Sequence, residues 1–219
     1  MQDWANQSGD IKDSKLVDLD RPISRDEVRR VISAARNGKA SGVDGIINEI
    51  IKHGGDEMEQ ALWILFNRIF ATESIPSDWT RSLIFPIYKD GDRKDPNNYR
   101  GISLLSVVCK MYTSILSQRI ASWCDKQHCI SEEQAGFRED RSTVDQLFVL
   151  TEIIEDRREK KLETHCCFLD IKKAFPSVWR DGMWKRLLDI GIGGKMWRVV
   201  RNLYQTVECC VLLGEEKTC

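Results

Sequence analysis

Apolar residues recur at the spacing of a helix in several segments of the chain. The first predicted helix begins at Ser24, because Ser24 and Glu27 match a capping box and an apolar stripe follows them. Further helices are predicted over residues 56–71, 106–126, 142–160, 183–189 and 195–204. The helix over residues 142–160 is expected to be capped by Ser142 or Thr143, and its inward positions are expected to be Leu147, Leu150, Ile153 and Ile154.

Short apolar runs between turn residues predict strands. Residues 82–88 and 99–104 are expected to form a hairpin with a charged tip, and Pro86 favours an edge position for the first strand. Residues 164–171 are predicted to be a buried strand with Asp170 at its end, and residues 207–213 a last strand. The pattern therefore predicts a helix-rich α+β fold.

Composition limits the class of protein. The chain has 219 residues, 42% of them hydrophobic, which is enough for a sizeable core. Its 33 Lys+Arg residues are balanced by 34 Asp+Glu, and this balance argues against a generally basic nucleic-acid coat protein. The longest uncharged run, residues 101–109, is far shorter than the roughly 18–20 residues of a membrane span. The polar residues 1–20 are predicted to be a linker or disordered terminus without a signal peptide, so we expect an intracellular protein without membrane contact.

Asp170 is the first candidate for chemistry. A carboxylate held at the end of a buried strand is a suitable ligand for Mg²⁺, which prefers oxygen donors. The alternative is that Asp170 caps the turn or helix that follows.

The predicted hairpin and the segment after Asp170 carry the other candidates. Lys89 and Arg100 flank the hairpin turn, where they could hold triphosphate oxygens or form an ordinary charged surface. Residues 170–204 contain eight basic and three acidic residues with three interleaved tryptophans, and Arg198 and Arg201 lie within this segment. Such a segment can follow a nucleic-acid backbone, or it can form amphipathic helices with tryptophan anchors in the core.

Four blocks of the chain form an ordered set of motifs. The first is Lys39-Ala-Ser-Gly-Val-Asp-Gly-Ile46, and the second joins Pro86-Ile-Tyr-Lys-Asp-Gly-Asp92 to Asn98-Tyr-Arg-Gly-Ile-Ser-Leu-Leu105. The third joins Gln134-Ala-Gly-Phe-Arg138 to Arg141-Ser-Thr-Val-Asp-Gln146, and the fourth is Phe168-Leu-Asp-Ile-Lys-Lys-Ala-Phe175. In this order the blocks resemble the reverse transcriptase domain of non-LTR (LINE-type) retrotransposons. A single block would be weak, but four in the family's order over residues 20–213 are highly specific.

The resemblance implies a right-hand polymerase fold, with fingers-like residues 21–163 including a β-hairpin, and a partial palm with an incomplete sheet over residues 164–219. Its activity would be RNA-templated DNA synthesis by two-metal nucleotidyl transfer, with Mg²⁺ as cofactor. The partners would be an RNA template, a DNA primer and deoxynucleoside triphosphates, in the cytoplasm and nucleus.

The resemblance also implies residue roles. Asp170 matches the first metal-binding aspartate, and the backbone carbonyl of Ile171 would help to hold the metal. Lys89 and Arg100 match contacts to the incoming triphosphate, and Phe175 matches the residue beneath the incoming sugar. Arg138 and Arg141 would contact the template backbone.

The sequence departs from the family pattern in ways that predict a loss of activity. It contains no Ala-Asp-Asp motif and no Gln-Gly-x-x-x-Ser-Pro block, so the remaining metal carboxylates, the rest of the palm and the thumb are absent from these residues. Pro176 stands where relatives usually carry aspartate, which alters the expected nucleotide pocket. We therefore expect an inactive polymerase fragment with an exposed apolar patch around Cys166, Phe168 and residues 207–213; the alternative is a non-catalytic RNA- or DNA-binding remnant.

Overall fold

The computed structural model describes residues 17–213 and 216–218 of the chain. These residues form a mixed arrangement of helices and strands, which confirms the α+β class. The helices are α1 (Val17–Asp20), α2 (Arg25–Ala34), α3 (Asn48–Lys52), α4 (Gly55–Thr72), α5 (Val107–Lys126), α6 (Thr143–Glu159), α7 (Arg180–Asp189) and α8 (Gly194–Asn202). The strands are β1 (Arg81–Tyr88), β2 (Tyr99–Leu104), β3 (Glu208–Leu213) and β4 (Glu216–Thr218).

The strands form one sheet in the order β2-β1-β3-β4. The predicted hairpin is confirmed, since β1 and β2 pair antiparallel from Leu83 opposite Leu104 to Tyr88 opposite Tyr99. Strand β3 pairs parallel to β1 only from Arg81 to Ile84. The predicted edge position is therefore wrong for β1 as a whole, which lies between β2 and β3. Pro86 lies beyond the residues paired with β3, so its missing N–H removes no bond to that strand.

The described chain divides into two compact units. The first contains the residues up to Ile120 and those from Trp184 onward, and the second contains Ala121–Met183. These boundaries differ from the predicted division at residues 163 and 164, and the assignment of fingers and palm stays a prediction. Residues 17–20, which the prediction placed in a linker or disordered terminus, form α1 with the Leu19 side chain buried; residues 1–16 lie outside the described part.

An aromatic cluster forms the centre of the first unit. The ring centroids of Phe66 on α4 and Tyr112 on α5 are 5.4 Å apart, and Trp79 lies 5.4 Å from Tyr112 and 6.3 Å from Phe66. Tyr112 is fully buried, and its hydroxyl has no hydrogen-bond partner among the described residues. Burial raises the pKa of this phenol well above its usual value, so the hydroxyl stays protonated.

We expect the Tyr112→Phe variant to be as stable as the parent chain or more stable, by up to about 1 kcal/mol. Burying an unpaired hydroxyl carries a desolvation penalty that phenylalanine avoids while it keeps the ring contacts. Urea unfolding followed by tryptophan fluorescence measures the difference. A loss of more than about 1 kcal/mol would show that the hydroxyl is satisfied in solution.

Arg119 on α5 and Glu27 on α2 form a buried ion pair in the same unit, with 4% and 5% of their side chains exposed. The Arg119 Nε donates to Glu27 Oε1 at 2.6 Å and a second nitrogen donates to Oε2 at 2.8 Å. The guanidinium also donates to the backbone carbonyls of Leu19, Arg21 and Pro22. The Arg119 side chain therefore fixes the backbone of the segment that directly precedes α2.

The loop block of residues 39–46 is positioned by a close approach. A Cβ on Gly42 would lie 2.4 Å from the backbone of Leu105 and Ser106, directly before α5. Gly45 in the same loop has φ of +70°, as expected for a glycine turn. The backbone of this block therefore packs against Leu105 and Ser106, the residues that connect β2 to α5.

The second unit contradicts two predictions. Residues 164–171 are not a strand: they have no regular structure, and Phe168 and Leu169 are 84% and 92% exposed. Helix α6 forms with the predicted Ser142 cap, but its residues are not buried, and Leu147 is 62% exposed. A strand requires a neighbour for its backbone groups and a helix stripe requires a covering layer, and the described residues supply neither here.

Exposed apolar residues occur in both units. Cys166 and Phe168 are exposed in the second unit, and Val207 and Leu213 are exposed in the first. This confirms the predicted exposure of these residues, while a single continuous patch stays a prediction. Among the described helices, none has the length and apolar character required to cross a membrane.

Candidate functional site

The β1–β2 hairpin brings two predicted phosphate ligands to one face. Arg100 lies directly opposite Ile87, and Lys89 follows Ile87 by two residues, with its N–H bonded to the Asn98 carbonyl at 2.9 Å. Directly opposed residues and residues two apart point to the same side of a hairpin. The ammonium and guanidinium groups therefore project from the same surface.

These two cations differ from their neighbours on the hairpin. The Arg81 side chain pairs with Glu208 at 3.1 Å, and Arg93 lies over the Tyr88 ring at 5.1 Å. Lys89 and Arg100 are exposed, and within the described chain neither side chain makes an ion pair or hydrogen bond. Their donors are therefore available to an anionic ligand.

Packing contacts elsewhere in the hairpin fix the face that carries Lys89 and Arg100. The Tyr88 and Tyr99 rings pack edge-on at 5.5 Å on the opposite face, next to the turn. A Cβ at Gly101 would lie 2.8 Å from the Ile84 side chain, so glycine makes room beside Arg100. The face that carries Lys89 and Arg100 also carries Phe85, Ile87 and Ile102, each more than 40% exposed.

Asp170 is not at the end of a strand, because residues 162–171 lack regular structure. Its carboxylate and the neighbouring Ile171 are exposed, and no described group of three or more His, Cys, Asp or Glu residues could hold a metal ion. One carboxylate and one carbonyl do not fit a two-metal centre, which requires further oxygen ligands. The described residues alone therefore do not assemble the predicted Mg²⁺ site.

Phe175 contacts an aromatic residue of the third sequence block. Its ring lies 6.1 Å from that of Phe137 at an angle of 89°, and both rings are exposed. Phe137 has φ of +64°, an uncommon conformation for a non-glycine residue. The structure therefore brings the predicted sugar-binding residue next to the Gln134–Arg138 block within the second unit.

Acidic residues hold both arginines of this block. Arg138 contacts Asp125 and Glu132 at 3.4 Å and donates to the Ser131 carbonyl, and Arg141 donates to Glu132. Hydrogen bonds from Arg138, followed by the charges of both arginines, lower the pKa of Glu132. A template phosphate would have to compete with Glu132, and the predicted template contact stays a prediction.

Arg198 and Arg201 on α8 both interact within the first unit. Arg198 donates to the two carboxylate oxygens of Glu73 at 2.8 and 2.7 Å, and Arg201 lies over the Trp197 ring at 5.1 Å. Trp184 and Trp197 are buried. Trp184 and Trp197 are therefore core anchors of amphipathic helices, the second of the two interpretations of this segment. Nucleic-acid contact by Arg198 and Arg201 stays a prediction.

Sequence reasoning did not find the acidic residues that organise these regions. Glu73 has φ of +58° at the end of α4, and its carbonyl accepts from Asn202. The Asp20 carboxylate accepts from the backbone N–H groups of Lys195 and Met196, so it caps α8 from a distant part of the chain. No local pattern signals these contacts, because the partners are 125 to 176 residues apart.

Residues 87–217 match the sequence profile of the reverse transcriptase (RNA-dependent DNA polymerase) family. The match begins inside β1 and includes β2, Asp170 and Phe175, and it spans more than half of the chain. The chain therefore belongs to this family.

Curated relatives are polymerases of mobile elements. The chain is 33% identical over 174 residues to a probable RNA-directed DNA polymerase from transposon X-element of Drosophila melanogaster, covering 78% of this chain and 19% of that protein. It is 28% identical over 185 residues to the RNA-directed DNA polymerase from mobile element jockey of Drosophila funebris, covering 84% and 20%. It is 27% identical over 173 residues to a Pol polyprotein from the type-1 retrotransposable element R2 of Popillia japonica, covering 78% and 23%.

These relatives confirm the resemblance to the reverse transcriptases of non-LTR retrotransposons. The chain spans about a fifth of the length of the relatives it matches.

Proposed function

We propose that this chain supplies the nucleotide-binding surface of an RNA-directed DNA polymerase, and that the β1–β2 hairpin binds the triphosphate of an incoming deoxynucleotide. The observation that carries the proposal is the placement of Lys89 and Arg100 on one hairpin face, with both side chains free of acidic partners among the described residues. The neighbouring Arg81 and Arg93 already have partners within the chain.

The chemistry of the two side chains suits a triphosphate. The planar guanidinium of Arg100 can donate two parallel hydrogen bonds to one phosphate, whereas the ammonium of Lys89 acts as a compact point charge. Lys89 and Arg100 are diagonal neighbours on the hairpin face, because Arg100 lies opposite Ile87. The Cα atoms of such neighbours are about 7–8 Å apart, a span that adjacent phosphates can bridge. The hairpin ladder fixes the backbone beneath both groups, so binding has to order only the two side chains.

The roles that the family implies for residues of the second unit are a separate part of the proposal. Phe175 would lie against the sugar and exclude a 2′-hydroxyl, as the family implies, and its contact with Phe137 would hold the ring in place. Asp170 would provide one carboxylate, with the Ile171 carbonyl beside it, to a divalent-metal site; the family implies Mg²⁺. Further carboxylates are required, so the 219 residues alone are expected to bind nucleotides without extending a primer.

The test is nucleotide binding by the 219-residue protein, measured by calorimetric titration with a deoxynucleoside triphosphate. We expect the double variant Lys89→Ala/Arg100→Ala to weaken binding by about 10–100-fold, because two charge-assisted contacts are lost. Lys94→Ala is the matched control, since Lys94 is an exposed cation on the same hairpin. The control should bind as the parent chain does.

Two results would contradict the proposal. One is the absence of measurable triphosphate binding by the parent chain, and the other is equal affinity of the double variant and the parent. Primer extension is a separate test: incorporation of deoxynucleotides directed by an RNA template would show that these residues catalyse without the expected additional carboxylates.

A further inference from the structure

The backbone motif at the C-terminal end of α5 brings Cys124 and Cys129 together. The N–H of Cys129 donates to the Cys124 carbonyl at 2.9 Å, and the N–H of His128 donates to the Asp125 carbonyl at 3.2 Å. His128 has φ of +53°. These two bonds and the left-handed residue define a Schellman motif, in which the first and the last residue come into side-chain contact.

The contact in this motif is between thiols. Cys124 and Cys129 are both reduced, and their side chains form a hydrogen bond. Cys124 is buried, and Cys129 is partly exposed. The thiol in contact with solvent therefore lies directly against the buried one, and the intervening four residues are fixed by backbone hydrogen bonds.

We propose that Cys124 and Cys129 form a redox-active pair that a low-molecular-weight disulfide, such as oxidised glutathione, converts to an intramolecular disulfide. In the first step the Cys129 thiolate attacks one glutathione sulfur, forms a mixed disulfide and releases one glutathione thiolate. In the second step Cys124 loses its proton to that thiolate or to water and attacks the Cys129 sulfur. The second glutathione leaves as a thiolate and is protonated, so two protein thiols and one glutathione disulfide give one protein disulfide and two glutathione thiols.

The environments of the two sulfurs determine this order. Burial raises the pKa of the Cys124 thiol to about 11, so little of it is the reactive thiolate at neutral pH. Cys129 is accessible to a solution disulfide, and Cys124 needs to reach only its neighbour. Cys129 is therefore the entry point, and Cys124 resolves the mixed disulfide.

The other reduced cysteines provide contrasts. Cys109 lies on the same helix and is buried, but its thiol contacts the Trp79 carbonyl at 3.9 Å. Cys209 accepts a hydrogen bond from the Ser82 hydroxyl at 3.1 Å. Neither contact offers a second thiol, so these cysteines should end at mixed disulfides or remain unmodified.

The experiment treats the folded 219-residue protein with oxidised glutathione and maps the products by peptide mass spectrometry without reduction. The expected product is a pair of linked cysteines, Cys124 and Cys129, whose peptide has lost about 2 Da, two hydrogen atoms, and carries no glutathione. In the oxidised protein, the amides of His128 and Cys129 should exchange hydrogen more slowly, because the disulfide closes the same turn as the backbone bonds.

Variants separate the pair from general thiol reactivity. Cys129→Ala, which replaces the partly exposed member, should abolish the product. Cys124→Ala should accumulate a glutathione adduct on Cys129. Cys166→Ser is the control at an exposed cysteine and should leave the product unchanged. A stable glutathione adduct on Cys129 of the parent chain, or a disulfide between Cys124 or Cys129 and another cysteine, would overturn the proposal.

Discussion

Replacement of Arg119 with alanine is expected to lower the free energy of unfolding by about 3–5 kcal/mol, the range for breaking one side of a buried ion pair. The loss has two parts. The buried Glu27 carboxylate would keep only the hydrogen bonds from Ser24 and a contact of 3.5 Å to the half-exposed Arg21, and the carbonyls of Leu19, Arg21 and Pro22 would lose the guanidinium donor. Urea unfolding followed by circular dichroism measures the change.

The matched control is Arg29→Ala on the neighbouring α2. Arg29 also forms a hydrogen-bonded pair, with Glu59, but its side chain is 59% exposed. Exposed pairs contribute little because water and salt screen them. If Arg119→Ala cost no more stability than Arg29→Ala, the burial of the Glu27–Arg119 pair would not hold in solution.

The same pair predicts a dependence of stability on pH. Burial opposes ionisation of Glu27, but hydrogen bonds from Arg119 and Ser24 and the Arg119 charge outweigh it, and its pKa falls from 4.5 to about 2. The folded state therefore holds this proton less tightly than the unfolded state. The stabilisation is complete above pH 4.5 and is lost as the pH falls towards 2. The stability difference between the parent chain and Glu27→Gln should shrink over this range.

The second large effect is expected from Phe66→Ala, which should lower the free energy of unfolding by about 3–5 kcal/mol. Phe66 is fully buried and contacts the rings of both Trp79 and Tyr112. Its removal leaves a cavity between α4 and α5 that well-packed aromatic neighbours cannot fill. Urea unfolding measures the loss, and near-ultraviolet circular dichroism reports the disturbed packing of Trp79.

Ile64→Ala on the same helix is the control for Phe66→Ala. Ile64 is 52% exposed, so its replacement removes few contacts and should change stability little. Equal effects of the two variants would mean that α4 does not present the Phe66 side to the core.

Several elements could be predicted from the sequence because their determinants are local. The Ser24 and Ser142 caps lie three residues from the groups they bind, and the structure has both. The hairpin of residues 82–88 and 99–104 was predicted to within one residue of β1 and β2, because alternation and turn residues are contiguous. That register also places Lys89 and Arg100 on one face.

Burial in the second unit could not be predicted in the same way. The apolar run over residues 164–171 and the apolar positions of α6 both predict a buried core. Nevertheless, Phe168 and Leu147 are exposed, because burial depends on a covering layer that a local pattern does not contain. For the same reason, the sequence predicted Asp170 at a strand end, whereas the structure places it in an irregular segment.

By itself, the sequence determined the family, the α+β class, most helix and strand bounds and which residues are candidates for binding. Only the tertiary structure decided which charges remain available. Glu73 holds Arg198, Glu132 holds Arg138 and Arg141, and Lys89 and Arg100 stay unpaired within the described residues. The physical reason is that periodicity and capping act over a few neighbouring residues, whereas ion pairing and burial depend on groups that only the folded chain brings together.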